Sequence, residues 1–147
     1  MTTTIRVAHS PDSDDAFMFY ALAEGKIATG DLRYVHELQD IESLNRRALS
    51  AELEVTAVSI HAYAYLADTY ALLSSGSSMG DGYGPRLVAK VPPPTDPRTA
   101  LRGLRVGIPG TLTTACLALQ LYQPDTVRVV MPFDTIEDAV ARGDVDV

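Results

Sequence analysis

Alternating short apolar strands and helices predict an α/β protein with parallel strands. Two further observations support that class. Val55–Ile60 is almost wholly apolar and β-branched, as strands buried on both faces are. The strand–helix alternation also restarts after the proline-rich stretch Pro92–Pro97.

The first strand, Ile5–His9, runs through Ser10-Pro11-Asp12-Ser13-Asp14-Asp15 into an apolar helix, Asp14–Glu24, which Gly25 ends. Pro11 keeps Ser10 extended. Asp12 or Ser13 can cap the helix, and Asp14 and Asp15 fall in its first turn, where the dipole favours negative charge. A helix start needs one cap and one acid, whereas this turn carries four polar side chains. It also lies at the carboxyl end of a first strand, where open α/β sheets place their ligands. An over-capped helix accounts for the same residues.

Leu32–Leu38 is the second strand. The helix Asp40–Ser50 sets Ile41, Leu44 and Ala48 on one face, with Glu42 four residues before Arg46 as a supporting pair. Val55–Ile60 follows as a buried strand, His61–Ala67 as a short helix and Tyr70–Ser74 as another strand. The run from 74 to 85, with Gly80, Gly82 and Gly84, is too rich in glycine and serine for either element. Arg86–Val91 returns to strand, and the stiff Pro92–Pro97 connector is the expected domain crossing. The expected organisation is therefore a first lobe at 1–91, a crossover at 92–97 and the start of a second lobe at 98–147.

In that second part Leu104–Ile108 is a strand, Thr113–Tyr122 a helix and Thr126–Met131 a strand. Asp134–Arg142 is a helix with Asp134 and Glu137 as a capping box and Gly143 at its end. Asp144–Val147 reads as the opening of a further strand, so the chain is expected to be an amino-terminal fragment with an incomplete second lobe. Its exposed strand edges would invite self-association.

With 46% hydrophobic and 21% charged residues, the 147-residue chain has ample material for a core. Its net charge of −7, pI near 4.8 and lack of a Lys/Arg cluster argue against nucleic acid as a partner. No export signal and no bilayer-length apolar run are present, which argues against a membrane partner and makes a soluble cytoplasmic protein the expectation. The single Cys116 sits among Ala115, Leu117 and Leu119, as a buried inert thiol does. His9, His36 and His61 show no metal-ligand spacing; His9 adjoins the polar turn and could bond a ligand.

Two more segments carry site chemistry. In Gly107-Ile108-Pro109-Gly110-Thr111-Leu112-Thr113-Thr114-Ala115 a strand ends, glycines allow a tight turn, and a helix opens among hydroxyls. Free amides there suit a carboxylate, although capping by Thr111 or Thr113 explains the same residues. In Ala57-Val58-Ser59 a buried strand delivers a lone hydroxyl at its carboxyl end, and simple capping by Ser59 is the alternative. The Gly80/Gly82/Gly84 loop matches no nucleotide fingerprint. Tyr63, Tyr65 and Tyr70 suit core packing with their hydroxyls reaching the surface.

Five ordered blocks resemble the 1,4-dihydroxy-6-naphthoate synthase family of the futalosine route to menaquinone. They are Ser10–Leu22, Asp40–Asn45, Val58–Ala64, Gly80–Pro85 and Val106–Ala115. The resemblance implies a two-lobed fold like the type II periplasmic binding proteins, with substrate held between the lobes and no metal or organic cofactor. It implies conversion of cyclic dehypoxanthinyl futalosine to 1,4-dihydroxy-6-naphthoate, a lyase reaction on a small carboxylate substrate. The implied substrate-contacting segments are Ala57, Val58 and Ser59 with Thr113, Thr114 and Ala115, while Ser10, Asp14 and Asp15 would line the first-lobe wall.

The chain departs from the family where relatives carry Cys-Pro-Asn-Asp in place of Asp12–Asp15, and where some carry Lys at the Ala57 position. The family's presumed base is a His in an Ile-His-Glu segment expected just past Val147. The 147 residues are therefore expected to be inactive alone, with no catalytic residue among them. A non-enzymatic solute-binding protein of the same fold and a chorismate dehydratase-like enzyme are the alternatives.

Overall fold

The computed structural model describes residues 2–92 and 94–147; Met1, and Pro93 within the expected connector, lie outside the described residues. The chain forms two compact units, Met1–Gly80 and Asp81–Val147.

In the first unit β1 (Thr3–His9) lies between β2 (Leu32–Leu38) and β3 (Val55–Thr56), and both pairings are parallel. Parallel neighbours require crossover connections, and α1 (Ser13–Ala23) and α2 (Ile41–Leu49) supply them. Helix α1 ends where Gly25 takes φ +62, with Lys26 N–H donating to Ala21 O (2.8 Å) and Gly25 N–H to Leu22 O (3.3 Å). That is a Schellman closure, and the left-handed residue it needs is a glycine. Asp40 caps α2 by accepting from Ser43 N–H at 2.9 Å. The expected Glu42–Arg46 pair forms at 2.8 Å. Ala8, Leu44 and Leu53 are buried together, with Ile41 and Ala57 packed against them. Two ion-pair clusters fasten the strands from outside: Arg6 grips Glu54 through Nε and Nη2 at 2.9 and 2.8 Å, and Arg47 reaches both Glu37 and Glu52.

The strand expected over Val55–Ile60 is only two residues long. Ala57 N–H still donates to Ala8 O at 2.8 Å, but the amide of Ser59 is taken by the Asn45 side chain, and Ile60 opens the short helix α3 (Ile60–Tyr63). The expected strands at Tyr70–Ser74 and Arg86–Val91 do not form. A strand needs a neighbour for its backbone groups, and among the described residues none pairs with either segment.

The second unit opens with α4 (Pro97–Ala100) and pairs β4 (Arg105–Ile108) in parallel with β5 (Val127–Val130), joined through α5 (Thr114–Tyr122). Alternation along β4 sorts its two faces. Val106 and Ile108 pack with Leu101, Cys116 and Leu119, whereas Gly107 faces Met131 and Ile136. The expected capping box at Asp134 and Glu137 is not made. Phe133–Thr135 forms a 3-10 turn, and α6 (Ile136–Arg142) begins after Thr135 without a side-chain cap. Gly143 ends α6 at φ +88, as expected. Asp144–Val147 is not assigned as strand, yet its last residues bond the edge of β4: Gly107 N–H donates to Val147 O and Asp146 N–H to Arg105 O. The architecture is mixed α/β with parallel sheets. Among the described residues no helix is long and apolar enough to cross a membrane.

Candidate functional site

Parallel pairing brings the carboxyl ends of β1, β2 and β3 to one edge of the first sheet. The segments leaving that edge are Ser10–Asp15 and Ala57–Ser59. Asn45 of α2, fully buried, organises the second of these. Its Oδ1 accepts from Ser59 N–H at 2.9 Å and its Nδ2 donates to Ser59 Oγ at 3.1 Å. A backbone N–H can only donate, so the amide orientation follows from the first bond. Ser59 Oγ is therefore an acceptor in this pair, and its hydroxyl proton is not used in it. Ser59 does not cap α3 with its side chain.

At the end of β1 the expected cap runs the other way. Asp12 occupies the N-cap position of α1 but makes no side-chain cap; its carboxylate accepts from Ser10 Oγ at 3.0 Å. Asp15, buried in the first turn, reaches back to accept from Ser10 N–H at 2.8 Å. The acids that sequence alone reads as surplus thus hold Ser10 in place. Asp14 is exposed, and a hydrogen bond from the Ser78 side chain, then backbone N–H groups, hold its carboxyl below the usual range. Beside this turn His9, Ser10, Phe19, Tyr20, His36 and Leu38 help line a cleft of about 320 Å³.

In the second unit Thr113 is 3% exposed and its hydroxyl is committed at both ends: it donates to Gly110 O (2.9 Å) and accepts from Cys116 N–H (3.2 Å). Thr113 is thus the helix cap. Thr114 and Ala115 are the first two residues of α5, where N–H groups have no intrahelical acceptor. Thr114 is exposed, and Ala115 lines a cavity of about 1010 Å³ with Gly107, Pro109, Ala118, Tyr122 and Phe133. That volume is at the upper end for small-molecule sites.

Ser10, Asp15 and Ala57–Ser59 thus follow neighbouring strands of one sheet, with Asp14 on the surface of the same unit. Thr113, Thr114 and Ala115 are consecutive in the other unit. Asn45 escaped sequence reading. Its signal was a polar residue four positions after Ile41, on the apolar face that Leu44 and Ala48 define. Among the described residues no group of three or more His, Cys, Asp or Glu could hold a metal ion.

A family model described as menaquinone biosynthesis matches residues 5–147. The chain is 41% identical to a 1,4-dihydroxy-6-naphthoate synthase of Thermus thermophilus and 36% identical to one of Streptomyces coelicolor. Each alignment covers 97% of this chain, and 50% and 51% of those proteins. A crystal structure of an Archaeoglobus fulgidus protein superposes with a TM-score of 0.87 at 53% identity, covering 97% of this chain and 52% of that one. The chain spans about half the length of the curated relatives it matches. A match over nearly every residue, with an α/β fold on parallel strands beneath it, places this chain in the menaquinone biosynthesis family.

Proposed function

We propose that this chain supplies substrate-holding elements of a 1,4-dihydroxy-6-naphthoate synthase, a cytoplasmic lyase acting on cyclic dehypoxanthinyl futalosine. The observation that carries the reading is Ser59, presented past the end of β3 by the two hydrogen bonds it shares with the buried Asn45, one accepted and one donated. With its oxygen already accepting, its proton can serve a carboxylate or hydroxyl of the substrate, which is a positioning contribution. The names of the two curated relatives support the reaction class.

In this reading Ala57, Val58 and Ser59 contact substrate, Ser10, Asp14 and Asp15 form the wall beside them, and the first-turn amides at Thr114 and Ala115, after the Thr113 cap, receive an anionic group. The type II periplasmic-binding-protein architecture, with lobes at 1–91 and 98–147 joined through 92–97, belongs to the same proposal. So does the absence of turnover by these 147 residues alone. A general base must reach the proton it removes, and His9 and His36 are engaged with each other.

Calorimetric titration of the chain with cyclic dehypoxanthinyl futalosine, with chorismate in parallel, tests the reading. Heat with the first and none with the second is expected, with no naphthoate product. Preference for chorismate, or binding of neither, overturns it.

A further inference from the structure

We propose that His36 is a positioning residue for the Ser10–Asp15 turn, acting through His9 by fixing the tautomer whose Nδ1–H holds Ser10 O. The proposal rests on the reading of that turn as a substrate wall.

Three contacts define the relay. His9 Nδ1 lies 3.0 Å from Ser10 O, and His9 Nε2 lies 3.2 Å from His36 Nδ1. Phe19 stacks on His9 at 4.4 Å between ring centroids, 20° from parallel, which restrains the His9 ring. A carbonyl can only accept, so His9 Nδ1 carries a proton. In the neutral ring His9 Nε2 is then an acceptor, and His36 Nδ1 must donate to it. The remaining atom, His36 Nε2, is buried, and among the described residues nothing bonds it.

This wiring gives a proton one destination. If His36 takes it up, Nε2 becomes an N–H while Nδ1 goes on donating. If His9 takes it up, both His9 nitrogens donate, His36 Nδ1 becomes the acceptor, and the His36 proton moves to Nε2. Either route places a buried donor where it has no acceptor, which destabilises the acid form. Burial first, then the neighbouring His9, lower the His36 pKa accordingly.

The titratable groups around the pair do not offset this. Tyr20 and Glu24 of α1 share the cleft, Lys26 sits over the Tyr20 ring, and Tyr34 precedes His36 by two residues on β2. On the turn itself, Asp12 and Asp15 already accept from Ser10. In both routes His9 Nδ1–H goes on donating to Ser10 O, so the bond to the turn outlasts the titration and depends on the tautomer that His36 sets.

The test is imidazole ¹H–¹⁵N NMR of the 147-residue chain, titrated from about pH 8 to about pH 5.5, a range set by the histidine pKa. Both rings are expected as Nδ1–H tautomers at the upper end. Protonation of His36 is expected below the ordinary value of about 6.5, with the His9 Nδ1–H retained throughout. His36→Asn retains a donor where Nδ1 was and should keep the Nδ1–H tautomer on His9 and the wild-type Ser10 amide shift. His36→Leu removes the donor and should let His9 take the Nε2–H tautomer, with the Ser10 amide resonance displaced from its wild-type position.

An Nε2–H tautomer on the wild-type His9, or a His36→Leu chain that keeps the wild-type His9 tautomer and Ser10 shift, overturns the proposal. Cyclic dehypoxanthinyl futalosine affinity, measured for the wild type and both variants, separates the two readings. Absence of binding with the relay intact defeats the substrate assignment alone. Binding that weakens in His36→Leu but not in His36→Asn supports both.

Discussion

Replacing Asn45 with alanine removes the bracket that presents Ser59. Asn45 is 0% exposed and makes one bond to the Ser59 amide and one to its hydroxyl oxygen. Each bond contributes about 1 kcal/mol net. The hole left by a fully buried side chain costs about 1 kcal/mol more. Asn45→Ala should therefore destabilise the first unit by about 3 kcal/mol, read by urea denaturation with far-UV circular dichroism. Ser59→Ala alone strands the buried Nδ2 donor and should cost about 1–2 kcal/mol. In the Asn45→Ala background that donor is already gone, so Ser59→Ala should add almost nothing, a coupling of about 1–2 kcal/mol. A loss below about 1 kcal/mol for Asn45→Ala, or strict additivity of the two changes, refutes the bracket.

Three further outcomes follow from local physics. Arg6 holds the Glu54 carboxyl down at about 2, first through its side-chain hydrogen bonds, against an ordinary value of 4.5. A depressed carboxyl pKa stabilises the fold above the unfolded value, and that contribution drains away as pH falls from 4.5 towards 2. Acid titration should thus be shallower for Glu54→Gln than for the wild type across that window, and equal slopes would count against the pair. Gly143→Ala should destabilise the second unit by about 1–2 kcal/mol, because φ +88 is strained for an L side chain while the nearest atom, Lys90 Nζ at 3.6 Å, leaves room for the methyl group. Thr113→Ala should cost about 1 kcal/mol through the lost cap on Cys116 N–H, with Thr113→Ser restoring most of it; differential scanning calorimetry reads both changes.

Much of this was legible in the residues. Period and punctuation marked β2 at Leu32–Leu38, the faces of α2 and the glycine stops at 25 and 143, since those signals are local. What escaped depends on partners distant in sequence. Val55–Ile60 has the composition of a long strand, yet Asn45, fourteen residues before Ser59, claims its amide and ends the ladder. Asp12 reads as a cap for α1 and Asp15 as an acid favoured by its first turn, but both turn back to Ser10. Tyr70–Ser74 and Arg86–Val91 have strand-like composition, and composition cannot provide the neighbour that a strand requires. Asn45 itself was hidden because a lone polar residue on an amphipathic helix looks like a break in pattern until its partner is seen.

The proposed reading gives Ser59 of the first unit and, separately, the first-turn amides of α5 a bond each to a small organic acid. Amide chemical-shift mapping of the ¹⁵N-labelled chain with cyclic dehypoxanthinyl futalosine is the decisive measurement. Saturable shifts are expected at Ser59, Thr114 and Ala115, with Ser10 responding. Saturable shifts confined to other surfaces, with those four amides unmoved, would contradict the reading.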